Sequence, residues 1–191
     1  MHKTIQYLPI SDIKPHPLNA SIYGDGADKD LLESVKKIGI MSPIVITRSF
    51  VVISGHRRLN AAQMAGLPET PCVFSDVDES DQLAVEELLI EANTQRQKTS
   101  EQIAREYTRL KEIESEKAKK RQAEAGSKNL GLEVVNLPPL GETGKSREIA
   151  AQKLGISGKT AERSAKVVEQ IDTLRAEGKA EEAEQLRKTL N

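Results

Sequence analysis

The order of apolar and polar residues divides the chain into a mixed front part and a helical rear part. Before residue 75, short β-branched runs alternate with stretches in which apolar residues recur every three or four positions. The runs predict strands and the stretches predict helices. The predicted strands cover residues 4–10, 43–47, 50–53 and 70–74, and the predicted helices cover residues 28–38 and 55–66.

Two connections in the front part are predicted from turn-forming residues. The proline-, asparagine- and glycine-rich segment 15–26 predicts a loop. Arg48-Ser49 separates two β-branched runs and predicts the turn of a hairpin. The resulting order of strand, helix, two strands, helix and strand is typical of a small α/β or α+β domain.

The rear part shows only helical spacing. Residues 79–93 predict one helix, and a capping box at residues 99–102 predicts the start of another. Four glycines and two prolines in residues 126–145 predict a flexible linker. Residues 146–172 predict two short helices joined at Gly155, and residues 173–191 predict a C-terminal helix.

These elements predict an α+β protein with two parts. A small α/β N-terminal domain covers residues 1–93, and an all-α part follows it. The all-α part begins with connecting helices at residues 94–125, before the linker and the two-helix region.

Composition limits the environment of the protein. The single cysteine, Cys72, cannot form an internal disulfide, which favours a reducing compartment. No apolar run approaches the roughly 20 residues that span a bilayer, and the N-terminus lacks the pattern of a signal peptide. We therefore expect a cytoplasmic protein without a membrane partner.

The net charge of −1 conceals an uneven distribution along the chain. Residues 94–166 hold 16 basic and 10 acidic side chains, a net charge of +6, whereas residues 1–90 hold 8 and 12, a net charge of −4. The basic middle is compatible with a nucleic-acid surface or with a solvated helix. Within it, the run Lys117-Ala-Lys-Lys-Arg121 is either a solvated face or a source of sequence-independent contacts with a nucleic-acid backbone.

One segment of the front part combines a turn with clustered cations. Gly55 follows a predicted strand, and His56, Arg57 and Arg58 stand in the first turn of the helix that comes next. Cations at this end of a helix oppose its dipole, but free N–H groups with two guanidinium groups suit a bound phosphate. The alternative is that the arginines pair with acids such as Asp28.

The imidazole of His56 also has two interpretations. It is a candidate catalytic residue, for phosphate contact or proton transfer, because its ordinary pKa lies near neutrality. The alternative is a capping or hydrogen-bonding residue. His2 and His16 have no partners at metal-ligand spacing, so the sequence identifies no transition-metal ligands.

The two-helix region has the composition of a helix-turn-helix. Small residues stand where the helices would cross, and Gly155 suits a left-handed turn. Ser157 is placed to cap the second helix, which projects Lys159, Thr160 and Arg163 toward a major groove, with Lys166 near a phosphate. The predicted DNA-binding residues are therefore Ser157, Lys159, Thr160, Arg163 and Lys166. The alternative is a helical hairpin used only for packing.

Five segments together resemble the ParB-type partition proteins. They are residues 8–15 (LPISDIKP), 32–40 (LESVKKIGI), 42–47 (SPIVIT), 55–62 (GHRRLNAA) and 89–96 (LIEANTQR). The resemblance covers most of residues 4–170 in the family's order. It implies a ParB/sulfiredoxin-like fold for the N-terminal domain, followed by a helix-turn-helix region that binds double-stranded DNA.

The resemblance also implies a nucleotide- or phosphate-binding site. The residues that match the family's motifs are Gly55, His56, Arg57, Arg58, Asn93, Gln95 and Arg96. The implied cofactor is CTP or ATP with Mg²⁺. The chain departs from the family at two acidic positions, where His56 and Ala92 stand, so its metal ligands are unknown. Gly55 also stands where sulfiredoxin has its cysteine, which excludes that chemistry.

The predicted function is DNA binding in partition of a plasmid, phage or chromosome, or in control of transcription or replication. The resemblance implies a partition ATPase as a partner, association with the nucleoid or a plasmid, and a homodimer formed through residues 172–191 or on DNA. The chain leaves little room for a separate dimerisation domain. The alternatives are a nuclease or nucleotide triphosphatase of the same fold, which leaves open whether it is an enzyme, and an adaptor. Candidate acids for an enzyme are Asp25, Asp28, Glu33 and Glu91.

Overall fold

The computed structural model describes residues 4–24, 28–128 and 145–190 of the 191-residue chain. The chain divides into two compact units, residues 1–96 and residues 97–191. The first unit combines strands and helices and the second is helical, which confirms the predicted α+β class. Within the described ranges, no helix combines the length and the hydrophobicity that a membrane span needs.

The first unit is built on a four-stranded sheet. Its strands are β1 (Gln6–Pro9), β2 (Ile44–Ile46), β3 (Val52–Ser54) and β4 (Glu69–Phe74), in the order β1-β4-β2-β3. β4 lies antiparallel to β1 and parallel to β2, while β2 and β3 are antiparallel. A parallel pair needs a crossover connection, and the chain makes it through β3 and helix α3 (His56–Met64).

A helix occupies part of the segment that was predicted as a loop. Helix α1 spans Pro17–Tyr23, and the His16 side chain caps it by accepting a hydrogen bond from the Leu18 N–H at 3.2 Å. Proline is favoured at the first helical position because its missing N–H would have no partner there. The loop prediction was therefore wrong for these residues, since Pro17 starts a helix instead of preventing one.

The connection between β2 and β3 also differs from the prediction. Both strands are shorter than expected, and the chain turns over residues 47–51 instead of the two residues Arg48-Ser49. The Thr47 N–H donates to the Val51 carbonyl at 2.8 Å, and Phe50 has a positive φ of 64°. The Phe50 ring packs edge-on against Phe74 with centroids 6.1 Å apart, and this contact accompanies the unusual backbone angle.

Two further helices lie in the described part of the first unit. Helix α2 (Lys29–Ile38) is capped by Asp28, and helix α4 (Gln82–Glu91) is capped by Asp81. Both helices match the sequence predictions to within a few residues. The main core lies between the sheet and the helices, and its buried members are Ile10, Ile13, Ile44, Ile46, Val52, Leu59, Ala62 and Cys72.

The described part of the second unit contains four helices. They are α5 (Ser100–Lys128), α6 (Ser146–Lys153), α7 (Gly158–Ala176) and α8 (Ala180–Leu190). α5 continues through residues 126–128, which were predicted as linker, and the rest of that linker up to residue 144 lies outside the described residues. α7 has 19 residues and is not short as predicted, because its apolar spacing continues to the buried Ile171.

The C-terminal region contains a break that the sequence analysis missed. α7 ends at Ala176 and α8 begins at Ala180, so residues 173–191 do not form one helix. Residues 177–179 make a turn in which the Lys179 N–H donates to the Leu174 carbonyl at 2.9 Å. This bond satisfies one of the last carbonyls of α7 and lets the chain reverse.

The helices of the second unit share an apolar core built around α5. Its buried members are Ala104, Tyr107, Leu110, Ile113, Ile149, Ala150, Ala151, Ala161, Val168, Ile171 and Ala183. Ion pairs surround this core, and the most buried joins Lys98 to Glu106 at 2.8 Å. The attraction within such a pair compensates part of the cost of removing two charges from water.

Glu101 connects three of the four helices. Its carboxylate accepts hydrogen bonds from Arg105 at 3.0 Å and from Arg187 at 2.7 Å, and Arg175 lies 3.5 Å away. Burial acts to raise the pKa of Glu101, but the hydrogen bonds from Arg187 and Arg105 outweigh it and hold that pKa below its ordinary value. The ionised carboxylate therefore stabilises the attachment of α8 to α5 and α7.

We predict that Glu101→Gln lowers the free energy of unfolding of the second unit by about 1.5–3 kcal/mol, the range for hydrogen bonds to charged groups. Because the folded-state pKa is depressed, this stabilisation exists above the pKa of the unfolded chain and is lost as the pH falls through the folded value. Urea denaturation at pH 7 measures the difference. Glu181→Gln, an exposed change in α8, is the control, and an equal loss in both variants would contradict the role of Glu101.

Candidate functional site

The first unit contains a pocket of about 280 Å³ beside the N-terminal half of α3. α1 with the residues before it supplies one wall, α3 supplies the opposite wall, and Arg96 contributes from the end of the unit. The lining residues are Pro15, His16, Pro17, Asn19, Ala20, Gly24, His56, Arg57, Leu59, Asn60, Gln63 and Arg96. Three of the residues predicted for a phosphate site, His56, Arg57 and Arg96, therefore line one pocket.

Gly55 sets the geometry at the start of α3. Its φ of 106° is a left-handed angle that side chains disfavour, and a Cβ there would lie 3.0 Å from the Arg58 guanidinium. No side chain caps α3, so the first-turn N–H groups and the positive end of the helix dipole are left for another acceptor. The glycine thus allows both the turn and the close packing of Arg58.

The two predicted arginines have different surroundings. Arg57 is half exposed at the pocket and forms an ion pair with Asp28, which is the pairing that the sequence left as an alternative to phosphate binding. Arg58 turns away and donates to the carbonyls of Ser42 and Pro43, both at 2.6 Å. Arg58 therefore fixes the loop before β2, whereas Arg57 faces the pocket.

His56 is held by the backbone of His16. The Nε2 atom of His56 accepts the His16 backbone N–H at 3.1 Å, so in the neutral ring the proton lies on Nδ1. Burial, with the nearby His16 as a second cause, lowers the pKa of His56 to about 4. The imidazole is therefore neutral near pH 7, with Nε2 already engaged.

His16 is a site residue that the sequence analysis did not identify. It is buried, its Nδ1 caps α1, and its Nε2 lies 3.3 Å from the Gln82 amide nitrogen. Burial lowers its pKa, although Glu86 acts in the opposite direction. The only sequence signal was its place before Pro17, since a capping residue commonly precedes a helix that begins with proline.

The segment that follows α4 contributes one of its three predicted residues to the pocket. The Arg96 guanidinium carbon lies 4.9 Å from the centroid of the Tyr23 ring, which places this cation against α1. Asn93 instead donates from Nδ2 to the Leu89 carbonyl at 2.9 Å and closes the end of α4. Gln95 is exposed and, like Asn93, is not among the residues that line the pocket.

The described pocket suits an anion better than a metal ion. Among the described lining residues, the charged side chains are Arg57 and Arg96, the histidines are neutral, and none is a carboxylic acid. A carboxylate outside this lining, that of Asp28, is already paired with Arg57. Mg²⁺ prefers carboxylate oxygens, so these residues do not fit it. In the described ranges, no group of three histidine, cysteine or acidic side chains is placed to hold a metal.

A second candidate site lies on the helix pair α6–α7. Gly155 has a φ of 68° in the turn, and the Ile156 N–H returns to the Ala151 carbonyl at 3.1 Å. Ser157 caps α7 by accepting the Thr160 N–H at 3.1 Å, and the two hydroxyls lie 2.8 Å apart. Ser157 and Thr160, both predicted to contact DNA, thus also stabilise the start of α7.

The remaining predicted residues form one exposed face of α7. Lys159, Arg163 and Lys166 are spaced by four and three positions, so they lie on the same side of the helix. All three are exposed, and within the described residues no ion pair involves Lys159 or Arg163. The opposite side of α7 is buried at Ala161 and Val168, so this face points away from the core.

We predict that His56 titrates near pH 4 in the folded protein, well below the ordinary value of 6.5. Because the unfolded chain takes up this proton first, the unfolding free energy falls by about 1–2 kcal/mol between pH 7.5 and 5. NMR titration of the imidazole nitrogens measures the pKa directly. A His56 pKa above 6, or an unchanged pH dependence in His56→Gln, would contradict the buried neutral state.

Comparison with known proteins identifies the family to which the chain is related. Residues 1–93 match the ParB N-terminal domain family. The chain is 32% identical over 140 residues to the chromosome-partitioning protein Spo0J of Thermus thermophilus, covering 69% of this chain and 51% of that protein. It is 29% identical over 102 residues to stage 0 sporulation protein J of Bacillus subtilis, covering 51% of this chain and 35% of that protein. The chain therefore spans between about a third and about half of the length of these two relatives.

Other matches cover more of the compared protein. The ParB-like nuclease domain-containing protein YnaK of Escherichia coli is 30% identical over 69 residues, which cover 36% of this chain and 79% of YnaK. A pNOB8-like ParB N-domain structure matches with a TM-score of 0.58 at 20% identity, over 91% of this chain and 69% of that one. A second structure of such a domain matches with a TM-score of 0.57 at 17% identity, over 86% of this chain and 64% of that one. The chain belongs to the ParB-like family, whose fold its first unit has.

Proposed function

We propose that the chain binds double-stranded DNA through α6 and α7, and a phosphate-bearing ligand, a nucleotide, in the pocket of its first unit. The observation that carries the DNA proposal is the exposed face of Lys159, Arg163 and Lys166 on the helix that follows a tight turn. The Spo0J relatives suggest partition of a chromosome or plasmid as the cellular role.

The pair α6–α7 has the features that a helix-turn-helix needs. The turn is short, alanines pack where the helices meet, and the second helix is the longer one. In such motifs the N-terminal residues of the second helix reach base edges in the major groove. Lys159 and Arg163 stand at that end of α7, and Lys166 lies one turn further, where a phosphate contact suits it.

The pocket supports a phosphate ligand through three groups. They are the uncapped first turn of α3, the guanidinium of Arg57 and the guanidinium of Arg96. Backbone N–H groups at a helix N-terminus and arginine forks are both common phosphate partners. Because the lining does not fit Mg²⁺, we expect the ligand to bind without a metal ion. CTP and ATP are the candidates, as the likeness to ParB proteins implies.

Hydrolysis of a nucleotide or of DNA is the second candidate. It is favoured by the presence of His56 in the pocket and by the relationship to YnaK, which is named for a ParB-like nuclease domain. The engaged Nε2 of His56 and the absence of carboxylates from the described lining both argue against metal-dependent catalysis. Binding is therefore the better supported function of the pocket.

For DNA, we predict that Lys159→Ala with Arg163→Ala weakens binding to random duplex at least about tenfold at low salt, since two cations that neutralise phosphates are removed. Fluorescence anisotropy with random duplex DNA over a salt series measures the affinity. Lys36→Ala with Lys37→Ala is the matched control, because it removes two exposed cations from the end of α2. Equal losses in both double variants, or no binding by the wild-type chain at low salt, would overturn the DNA proposal.

For the pocket, we predict that CTP or ATP binds with similar affinity in Mg²⁺ and in EDTA, as measured by calorimetry. Arg57→Ala and Arg96→Ala each weaken binding about tenfold or more, as loss of a charge-assisted contact does. Arg48→Ala, which removes a cation lying over the Phe74 ring, has no effect. Binding that requires Mg²⁺ would contradict the metal-free site, and turnover lost in His56→Asn would support the second candidate.

A further inference from the structure

The second unit has a cluster of cations near the described end of α5. Lys117 is half-buried, and Lys119, Lys120 and Arg121 are exposed. The cluster lies within the basic middle of the chain. A run of this kind is either a solvated face or a contact surface, and its placement relative to α6 and α7 distinguishes the two.

Two of these cations continue the face of α5 that packs against α6 and α7. Leu110, Ile113 and Glu114 are buried on that face. Lys117 follows Glu114 by three positions and Arg121 follows Lys117 by four, so both lie on the same side of the helix. Lys120 borders this face, whereas Lys119 lies on the opposite one.

Three ion pairs fix the position of α5 along the helix pair. Arg105 binds Asp172 at 2.6 Å, Lys111 binds Glu162 at 2.7 Å, and Glu114 binds Lys153 at 2.6 Å. As the residue number rises along α5, its partner in α7 comes closer to the start of α7. α5 therefore runs antiparallel to α7, and Glu114 lies beside the end of α6.

The basic residues extend past the turn that joins α6 to α7. At 1.5 Å of rise per residue, Lys117 and Arg121 lie about 4 to 11 Å beyond Glu114 along the axis of α5. Lys117 and Arg121 extend past the end of the helix pair at which α7 starts. Lys159, the first residue of the exposed face of α7, lies at that same end. The face of α5 thus changes from buried to basic where α6 stops covering it.

We infer that Lys117, Lys120 and Arg121 form a second contact surface for DNA, which binds backbone phosphates beside the groove entered by α7. This inference rests on the proposed DNA binding by α6–α7. In the recognition geometry of such motifs, the start of the second helix faces the DNA, and the basic end of α5 reaches the same side. Contacts with phosphates orient a protein on the duplex without reading its sequence.

The test measures DNA affinity by anisotropy over a salt series, with one random duplex and several of fixed sequence. Each phosphate contact contributes about −0.9 to the slope of log affinity against log salt. We expect Lys117→Gln with Arg121→Gln to make the slope shallower by about 1–2 units and to weaken low-salt binding about tenfold on every duplex. Lys119→Gln is the matched control for Lys117→Gln, because it removes the same charge from the opposite face of the same turn.

Each outcome decides the inference. A shallower slope in the double variant with no change in Lys119→Gln supports the surface, provided that circular dichroism and thermal unfolding match the wild-type chain. Equal effects of Lys117→Gln and Lys119→Gln indicate only a general charge effect and overturn it. An unchanged slope in the double variant, while Lys159→Ala with Arg163→Ala still weakens binding, overturns it and leaves the proposed function standing. No binding by the wild-type chain overturns both.

Discussion

The geometry of the pocket depends on the left-handed turn at Gly55. The turn begins α3 without a side-chain cap, and it leaves room for the Arg58 guanidinium to fold back onto the glycine and hold the loop before β2. The same turn places His56 against the His16 backbone, which joins α3 to the start of α1. Any side chain at Gly55 would disturb all of these contacts, because it would require a disfavoured angle and would meet Arg58 at once.

In the second unit, α5 determines the position of the helix pair α6–α7. Its apolar face supplies Tyr107, Leu110 and Ile113 to the core, and ion pairs at the edges of that face fix α6 and α7 in register. Since the alanines of α6 and α7 bury little surface, the position of the pair depends on α5 more than on contacts between its own members. The helix that carries the exposed cations is therefore held in a fixed position against α5, as a binding surface requires.

The sequence predicted the features that arise from local patterns, and it failed where contacts join distant residues. α2, α3 and Gly55 were predicted because apolar spacing and a glycine turn are local signals. α1 was missed because the composition of residues 15–26 favoured a loop, and the pairing of His16 with His56 joins positions that are 40 residues apart. The sequence also could not show that Arg57 lines the pocket while Arg58 supports the loop before β2. Adjacent residues on a helix point in different directions, and only the surrounding structure decides what each of them contacts.

The attachment of α8 has a consequence for how the second unit comes apart. Ala183 of this helix is buried and Leu186 and Leu190 are half-buried. The helix packs mainly on α7, and the Arg187–Glu101 pair links it to α5. Contacts between partly exposed charges are screened by dissolved ions, whereas the apolar core of α5, α6 and α7 is not. Rising ionic strength therefore loosens the link between α8 and α5 at the Arg187–Glu101 pair, while the packing of α8 on α7 is preserved.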